Sequence, residues 1–169
     1  MFLSVLATLL GVTLAALLTP AAVAAAPPQG VETRWADRPG VRIAVFVEGE
    51  GPLVLMIPSL GRGADDFEDL ARALAAAGFR AARMQPRGIA PSTGPMSGVT
   101  MGDLADDAAA AIDVASEGGG GTALVLGHAF GQRVARMLAA RRPEKVRAVG
   151  MLAAGGKAPM KPGAAQALA

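Results

Sequence analysis

Apolar and polar positions alternate with two different periods from residue 31 onward, and these periods predict a regular order of strands and helices. Two short strands over 31–35 and 41–48 come first, with a turn at 38–40 between them. The run 53–57 is apolar at every position, as a strand in the middle of a parallel sheet requires. The remaining strands are predicted over 79–84, 122–126 and 146–152, and the helices over 65–78, 100–116 and 130–140. This order predicts an α/β fold, with a mostly parallel sheet and flanking helices.

Two of the predicted helices begin with capping signals. Asp65 followed by Glu68 predicts that Asp65 caps the first helix, and Thr100 followed by Asp103 predicts a capping box at the second. The first helix is expected to bury one stripe of apolar side chains: Phe67, Leu70 and Leu74.

Composition and charge exclude several classes of protein. The 169-residue chain is 52% hydrophobic and 18% charged, with a formal net charge of +2, which is typical of a folded domain. Its basic residues are scattered, so no nucleic-acid partner is expected. The lack of cysteine excludes disulfides, thiolate metal sites and a cysteine nucleophile. The sequence has no nucleotide-binding glycine motif, and we interpret the acidic residues 65–69 as a helix N-terminus, so neither a cofactor nor a metal is expected.

The first 30 residues carry no charged side chain and predict export. Residues 1–25 combine an apolar run with a small-residue stretch, as in a secretory signal peptide, and 26–30 form a linker. Residues 31–154 are then the folded domain, located in the periplasm or outside the cell. The alternative is that residues 2–26 stay uncleaved and anchor the domain in a membrane.

The segment 127–131 reads Gly-His-Ala-Phe-Gly and leads from a predicted strand directly into a predicted helix. It resembles the nucleophile elbow of the α/β-hydrolase fold superfamily, in which a tight turn lifts one side chain above the sheet. The resemblance places Ala129 at the nucleophile position. A methyl group has no proton to lose and no electron pair to donate, so this position is chemically inert.

The resemblance extends to two loops at the same edge of the sheet. It implies that the backbone N–H groups of Leu60 and Phe130 form the oxyanion hole, with Ser59 at a position where glycine is usual. The loop 87–92 reads Arg-Gly-Ile-Ala-Pro-Ser, similar to an R-G-x-G-x-S loop of the family. Ser59 and Arg87 are therefore candidate ligand-binding residues.

The family's acid and histidine have no counterpart after the elbow. They follow the nucleophile along the chain in that superfamily, whereas here Glu144 is the only acid beyond Gly131 and no histidine follows it. The hydrolase-like fold is thus expected to be truncated after the sixth strand, with the small-residue tail 155–169 at the start of a missing lid. His128, the only histidine, is interpreted chiefly as a packing residue, and a role as a base is the weaker alternative.

Three functions follow from these observations. The first is an exported α/β-hydrolase-family protein that is catalytically silent as encoded. The second is a module that binds a small carbonyl or acid ligand in the hydrolase pocket. The third is an ester hydrolase, a related hydrolase or a lyase with a non-standard nucleophile, for which the candidates are Ser59 as the nucleophile and His128 as a base.

Overall fold

The computed structural model describes residues 30–118 and 120–154. The signal peptide or anchor expected over 1–26 and the tail expected over 155–169 lie outside the described residues, as does nearly all of the linker. The described strands are β1 (Glu32–Arg38), β2 (Val41–Glu48), β3 (Leu53–Ile57), β4 (Arg80–Met84), β5 (Ala123–His128) and β6 (Val146–Leu152). The described helices are α1 (Glu68–Ala76), α2 (Met101–Ala115) and α3 (Gly131–Arg141).

The six strands form one sheet in the order β1-β2-β4-β3-β5-β6. The strands β4, β3, β5 and β6 are parallel to their neighbours within this group, whereas β2 is antiparallel to both β1 and β4. The predicted mostly parallel α/β sheet is therefore confirmed. In a sheet of this kind, the carboxyl ends of the parallel strands meet at one edge, where ligands bind.

Helices cover the sheet on both faces. Side chains of α2 and α3, including Ile112 and Leu138, pack against one face, and Phe67 and Ala71 cover the other. All five side chains of β3 are buried, because this strand lies between β4 and β5 and under helices on both sides. The predicted burial of 53–57 is thus confirmed.

The start of the first helix differs from the sequence prediction. Residues 64–67 form a 3₁₀ turn, α1 begins only at Glu68, and the Asp65 side chain makes no capping hydrogen bond. The buried stripe consequently runs through Phe67, Ala71 and Leu74, while Leu70 is exposed. The prediction of Asp65 as a cap and of Leu70 as a buried residue was wrong. A 3₁₀ turn has three residues per turn instead of 3.6, so it rotates the helix face that follows.

The capping box at the second helix is confirmed. The Thr100 hydroxyl accepts a hydrogen bond from the Asp103 N–H, and the Asp103 carboxylate accepts one from the Thr100 N–H at 2.9 Å. Two strands are longer or shifted relative to their predicted bounds. The strand β1 continues to Arg38 because it pairs with β2 along its full length, and β5 continues to His128 alongside β6.

The strand β6 lies at one edge of the sheet and is largely exposed. Met151 and Leu152 at its end expose 52% and 41% of their surface. Within residues 30–118 and 120–154, no strand pairs with the outer side of β6. In the same part of the chain, no helix combines the length and the apolar character needed to cross a bilayer.

Candidate functional site

The turn between β5 and α3 is held tight by two glycines. A Cβ atom added at Gly131 would lie 2.2 Å from the carbonyl oxygen of Ile57 and 2.6 Å from that of Pro58. A Cβ added at Gly127 would lie 2.5 Å from the backbone of Gln132. Only glycine fits at either position without moving backbone, so these two residues allow α3 to pack directly on the end of β3.

Ala129 lies at the top of this turn in the left-handed region of backbone conformation, with φ at +47°. This region is strained for a residue with a Cβ atom, by about 1–2 kcal/mol. The strained turn therefore persists although the residue it presents is alanine. Its methyl group faces a groove of about 360 Å³ that is also lined by Gln132, Arg133 and Ala153.

A second cavity, of about 390 Å³, lies beside the elbow at the carboxyl ends of β3 and β4. Its walls are mostly apolar and come from β3, the loop after β4, α2 and α3. They include Ile57, Pro58, Met84, Ile89, Met96, Val99, Leu104, Phe130 and Val134. A larger and more open groove, of about 700 Å³, lies alongside it and is lined by charged residues that include Arg62 and Asp66. We call the 390 Å³ space the main cavity because of its apolar walls beside the elbow.

The two backbone amides implied as oxyanion donors both belong to residues that line the main cavity. These residues are Leu60, after β3, and Phe130, directly after Ala129. In the described part of the chain, neither amide donates a hydrogen bond to the protein. Neither N–H group therefore has a protein partner among the described residues, and the N-terminus of α3 adds a positive dipole end beside Phe130.

Ser59 also lines the main cavity and is half-buried. Its hydroxyl makes no hydrogen bond to a side chain or to backbone among the residues that the structure describes. No base is therefore in contact with it, whereas an activated serine needs one within hydrogen-bond distance.

His128 is half-buried at the end of β5. Side chains alternate along a strand, so His128 shares a face with Leu124 and Leu126, which pack in the cluster beneath α1. The walls of the main cavity do not include His128. Its positive form makes the smallest of the contributions that hold the pKa of Asp66 below its ordinary value, after the dominant hydrogen bond from Arg62. His128 thus lies on the face of β5 that α1 covers, and its interpretation as a packing residue stays a prediction.

Arg87 is buried, and its guanidinium forms a two-pronged ion pair with Asp107 of α2. Its Nε donates to Oδ2 and its Nη2 donates to Oδ1, both at 2.7 Å. Asp107 is fully buried and also pairs with Arg38 at the end of β1. The hydrogen bonds that Arg87 donates to Asp107 raise the pKa of Arg87 above its ordinary value, against the opposing effect of burial. Arg87 lines the main cavity, but its charge is engaged within the protein.

The loop after β4 is fixed by two further buried polar side chains. The Gln85 amide accepts from the Ala64 N–H at 2.7 Å and donates to the Ala90 carbonyl at 2.6 Å. The Ser92 hydroxyl accepts from the Ala44 N–H at 2.9 Å and donates to the Gln85 carbonyl at 2.8 Å. Both side chains thus fix the backbone of the loop that forms this part of the cavity wall.

Sequence reasoning missed Asp107. Its one available signal is its position, because Asp107 precedes the buried Ala108 and lies four residues before the buried Ala111. An acid on the inward face of an amphipathic helix requires a buried partner. As for metals, no group of three or more potential ligands occurs among residues 30–118 and 120–154.

Comparison with known proteins extends the resemblance to measured structures. An epoxide hydrolase from Vigna radiata is 30% identical over 79% of this chain and 41% of its own, with a TM-score of 0.67. An epoxide hydrolase from an endophytic Streptomyces is 32% identical over 73% of this chain and 37% of its own, with a TM-score of 0.60. Epoxide hydrolase A from Mycobacterium thermoresistibile is 25% identical over 82% of this chain and 45% of its own, with a TM-score of 0.67.

This chain therefore spans less than half the length of these solved structures. No curated protein sequence matches it. A family model, described as the alpha/beta hydrolase fold, matches residues 52–167, which is more than half of the chain. The match begins just before β3 and includes the loop with Ser59 and Leu60, the loop with Arg87, and the elbow. The chain belongs to the α/β-hydrolase fold family.

Proposed function

We propose that this protein is catalytically silent at its elbow and that it binds a small ligand in the main cavity. The observation that carries the proposal is the methyl group of Ala129 at the top of an otherwise intact elbow. Acyl or alkyl transfer to an elbow needs a side chain with a nucleophilic atom, and alanine has none. An acid and a histidine elsewhere in the protein would have no nucleophile to activate at this elbow.

Binding is supported by what the site retains. The main cavity has a volume of about 390 Å³, in the range that small ligands occupy, and mostly apolar walls. Two unpaired backbone N–H groups, from Leu60 and Phe130, belong to its lining residues. A ligand with a carbonyl or carboxyl oxygen at one end can accept hydrogen bonds from these donors, while its apolar body packs against the walls.

The experiment is a binding titration of the full chain, by isothermal calorimetry or ligand-observed NMR, with small aryl-alkyl amides, ketones and acids. We expect saturable binding at one site. The variant Val99→Trp fills the cavity from its half-exposed rim and should abolish binding. Leu70→Trp adds the same side chain on the exposed face of α1 and should leave binding unchanged. Equal binding by the Val99→Trp variant, or no binding of any ligand by the parent protein, would overturn the proposal.

A second candidate function is turnover with a non-standard nucleophile, and its support is Ser59, a hydroxyl on the cavity wall. The solved structures with similar folds are named epoxide hydrolases, so a styrene oxide assay belongs beside the ester assays. Saturable turnover that disappears in both Ser59→Ala and His128→Ala would favour this candidate. Turnover that survives both changes would remove these two residues as the nucleophile and its base.

We also propose export, on the basis of residues 1–25 alone. The N-terminal sequence of the protein recovered from its own host tests this proposal, because signal removal leaves a new N-terminus close to residue 26. An unprocessed chain that sediments with membranes would instead support an anchor over residues 2–26. An unprocessed chain in the cytoplasm would contradict both.

A further inference from the structure

Arg87 is the only ionisable side chain among the described residues that line the main cavity. Among these described residues, this guanidinium is therefore the one side-chain charge at the cavity wall, and it acts beside the positive dipole end of α3. Its side chain is about 5% exposed and points to Asp107, with two hydrogen bonds of 2.7 Å. The remaining contact, from Nη1, is a long one of 3.4 Å to the Pro95 carbonyl.

Asp107 lies behind the cavity wall, on the inward face of α2, with none of its side chain exposed. It compensates the charge of Arg87 at close range. The second cation, Arg38, is more exposed, lies 3.7 Å from Asp106 as well, and does not line the cavity. The positive charge at the cavity wall is therefore matched by a negative charge immediately behind it.

A carboxylate that entered this cavity would face one of two penalties. It would either bind at the two backbone N–H groups and the dipole end of α3 without a free cationic side chain, or it would displace Asp107 from Arg87 and leave a fully buried carboxylate less compensated. A neutral carbonyl group meets neither penalty. It needs only the two backbone N–H groups of Leu60 and Phe130, and a neutral group costs far less to remove from water than an ion.

We infer that Asp107 is a specificity-determining residue, which neutralises Arg87 and so makes the main cavity select uncharged carbonyl ligands over carboxylates. This inference rests on the proposed function, because it names the ligand class of the same cavity. It assigns Asp107 a role in selectivity in addition to its structural contacts.

The test uses two probes of the same shape, 4-phenylbutanamide and 4-phenylbutanoate, titrated into the full chain at pH 7.5. The parent protein should bind the amide at least about tenfold more tightly than the carboxylate. In Asp107→Asn, the guanidinium of Arg87 loses its counter-charge and can form an ion pair with the carboxylate of the ligand. The carboxylate should then bind at least about tenfold more tightly than it binds the parent, while amide affinity changes by less than about threefold.

Asp106→Asn is the matched control. Asp106 is the adjacent residue on α2 and contacts Arg38, Arg141 and Arg142, but it neither touches Arg87 nor lines the cavity. Its removal should leave the ratio of the two affinities within about threefold of the parent value. A general loss of stability would weaken the binding of both probes in either variant, and it would not reverse their order.

The double variant Arg87→Met/Asp107→Leu keeps the inference testable where Asp107→Asn does not fold, because apolar pairs often replace buried ion pairs without loss of stability. It removes Arg87 together with its counter-charge, while Arg38 keeps its contact with Asp106, so the preference for the amide should persist. A shift of its affinity ratio beyond about threefold toward either probe would overturn the inference. An unchanged ratio of amide to carboxylate affinity in a folded Asp107→Asn variant would also overturn the inference. So would a parent protein that prefers the carboxylate. A parent protein that binds neither probe removes the proposed function together with this inference.

Discussion

The amide N–H of Ala129 donates a hydrogen bond of 2.9 Å to the carbonyl oxygen of Leu152. The bond continues the pairing of β5 with β6, whose last paired residues are His128 and Leu152, by one residue into the elbow. It helps to hold Ala129 in a backbone conformation that a residue with a Cβ atom disfavours. The geometry of the elbow is therefore set by the sheet and by its glycines, and it does not require a nucleophile.

Replacement of Ala129 by glycine should stabilise the protein, because glycine adopts a φ of +47° without strain. Relief of that strain outweighs the greater freedom of glycine in the unfolded chain, and we expect a gain of about 0.5–1 kcal/mol in the free energy of unfolding. Urea denaturation measures it. The control Ala140→Gly lies in the exposed last turn of α3 and should cost about 1 kcal/mol. Destabilisation by both changes would show that Ala129 is not strained.

Replacement of Gly131 by alanine should be among the most damaging single methyl additions in the described chain. The new methyl would lie 2.2 Å from the Ile57 carbonyl oxygen, so α3 and β3 must move apart. We expect a loss of about 3 kcal/mol in unfolding free energy, together with the loss of ligand binding in the main cavity.

Gly102→Ala is the control for this steric argument. Gly102 lies in the first turn of α2, and a Cβ atom there approaches nothing closer than 3.5 Å. Alanine is also the better helix former, so this change should be neutral or stabilising by up to about 1 kcal/mol. Similar losses from Gly131→Ala and Gly102→Ala would contradict the close packing of the elbow on β3.

The capping box gives the protein a pH-dependent contribution to stability. Hydrogen bonds from the side chain and the backbone N–H of Thr100 lower the pKa of Asp103 below its ordinary value of 3.8. A carboxyl with a lowered pKa in the folded state stabilises that state above its ordinary pKa, and this contribution is lost as the pH falls below it. Asp103→Asn should therefore lower the urea midpoint at pH 7, and the difference from the parent should shrink by pH 3. Glu144→Gln, in the exposed turn after α3, should show no such change, and a difference for Asp103→Asn that stays constant with pH would contradict the assignment.

The exposed end of β6 should promote association of the protein with itself. An edge strand with unpaired backbone groups and apolar side chains favours pairing with another strand, and a lysine on such an edge opposes it. Met151→Lys should therefore reduce concentration-dependent association, measured by sedimentation velocity at several concentrations. Leu70→Lys places the same charge on the exposed face of α1 and should have little effect. Equal effects of the two lysines would indicate that net charge, and not the edge, controls association.

The order of the elements could be read from the sequence because each has a strong local signal. The bounds of β2, β3 and β6 follow directly from their apolar runs, and the glycines at 127 and 131 identify the elbow. Sequence periodicity could not locate the 3₁₀ turn before α1. This turn changes which face of α1 is buried, and that face is determined by packing against the sheet. This is why Ala71 is buried in place of Leu70.

The candidate site was less accessible to sequence reasoning. Arg87 was recognised as a candidate ligand-binding residue because it belongs to a loop with a family pattern, but its partner lies 20 residues away on a helix that carries no motif. Ion pairs of this kind depend on how α2 packs against the loop after β4. The composition of neither segment reveals that the charge of Arg87 is matched inside the protein.

The most direct test of the central claim is a turnover assay of the full chain with 4-nitrophenyl esters and styrene oxide, beside the variants Ala129→Ser and Ala129→Asp. We expect no saturable turnover by the parent protein, because the elbow presents a methyl group. Ala129→Ser and Ala129→Asp restore a nucleophilic atom at the elbow, so turnover or a covalent adduct with substrate, visible as a mass increase of the intact protein, is expected only in these variants. Saturable turnover by the parent protein, retained in a preparation purified to constant specific activity, would contradict the account.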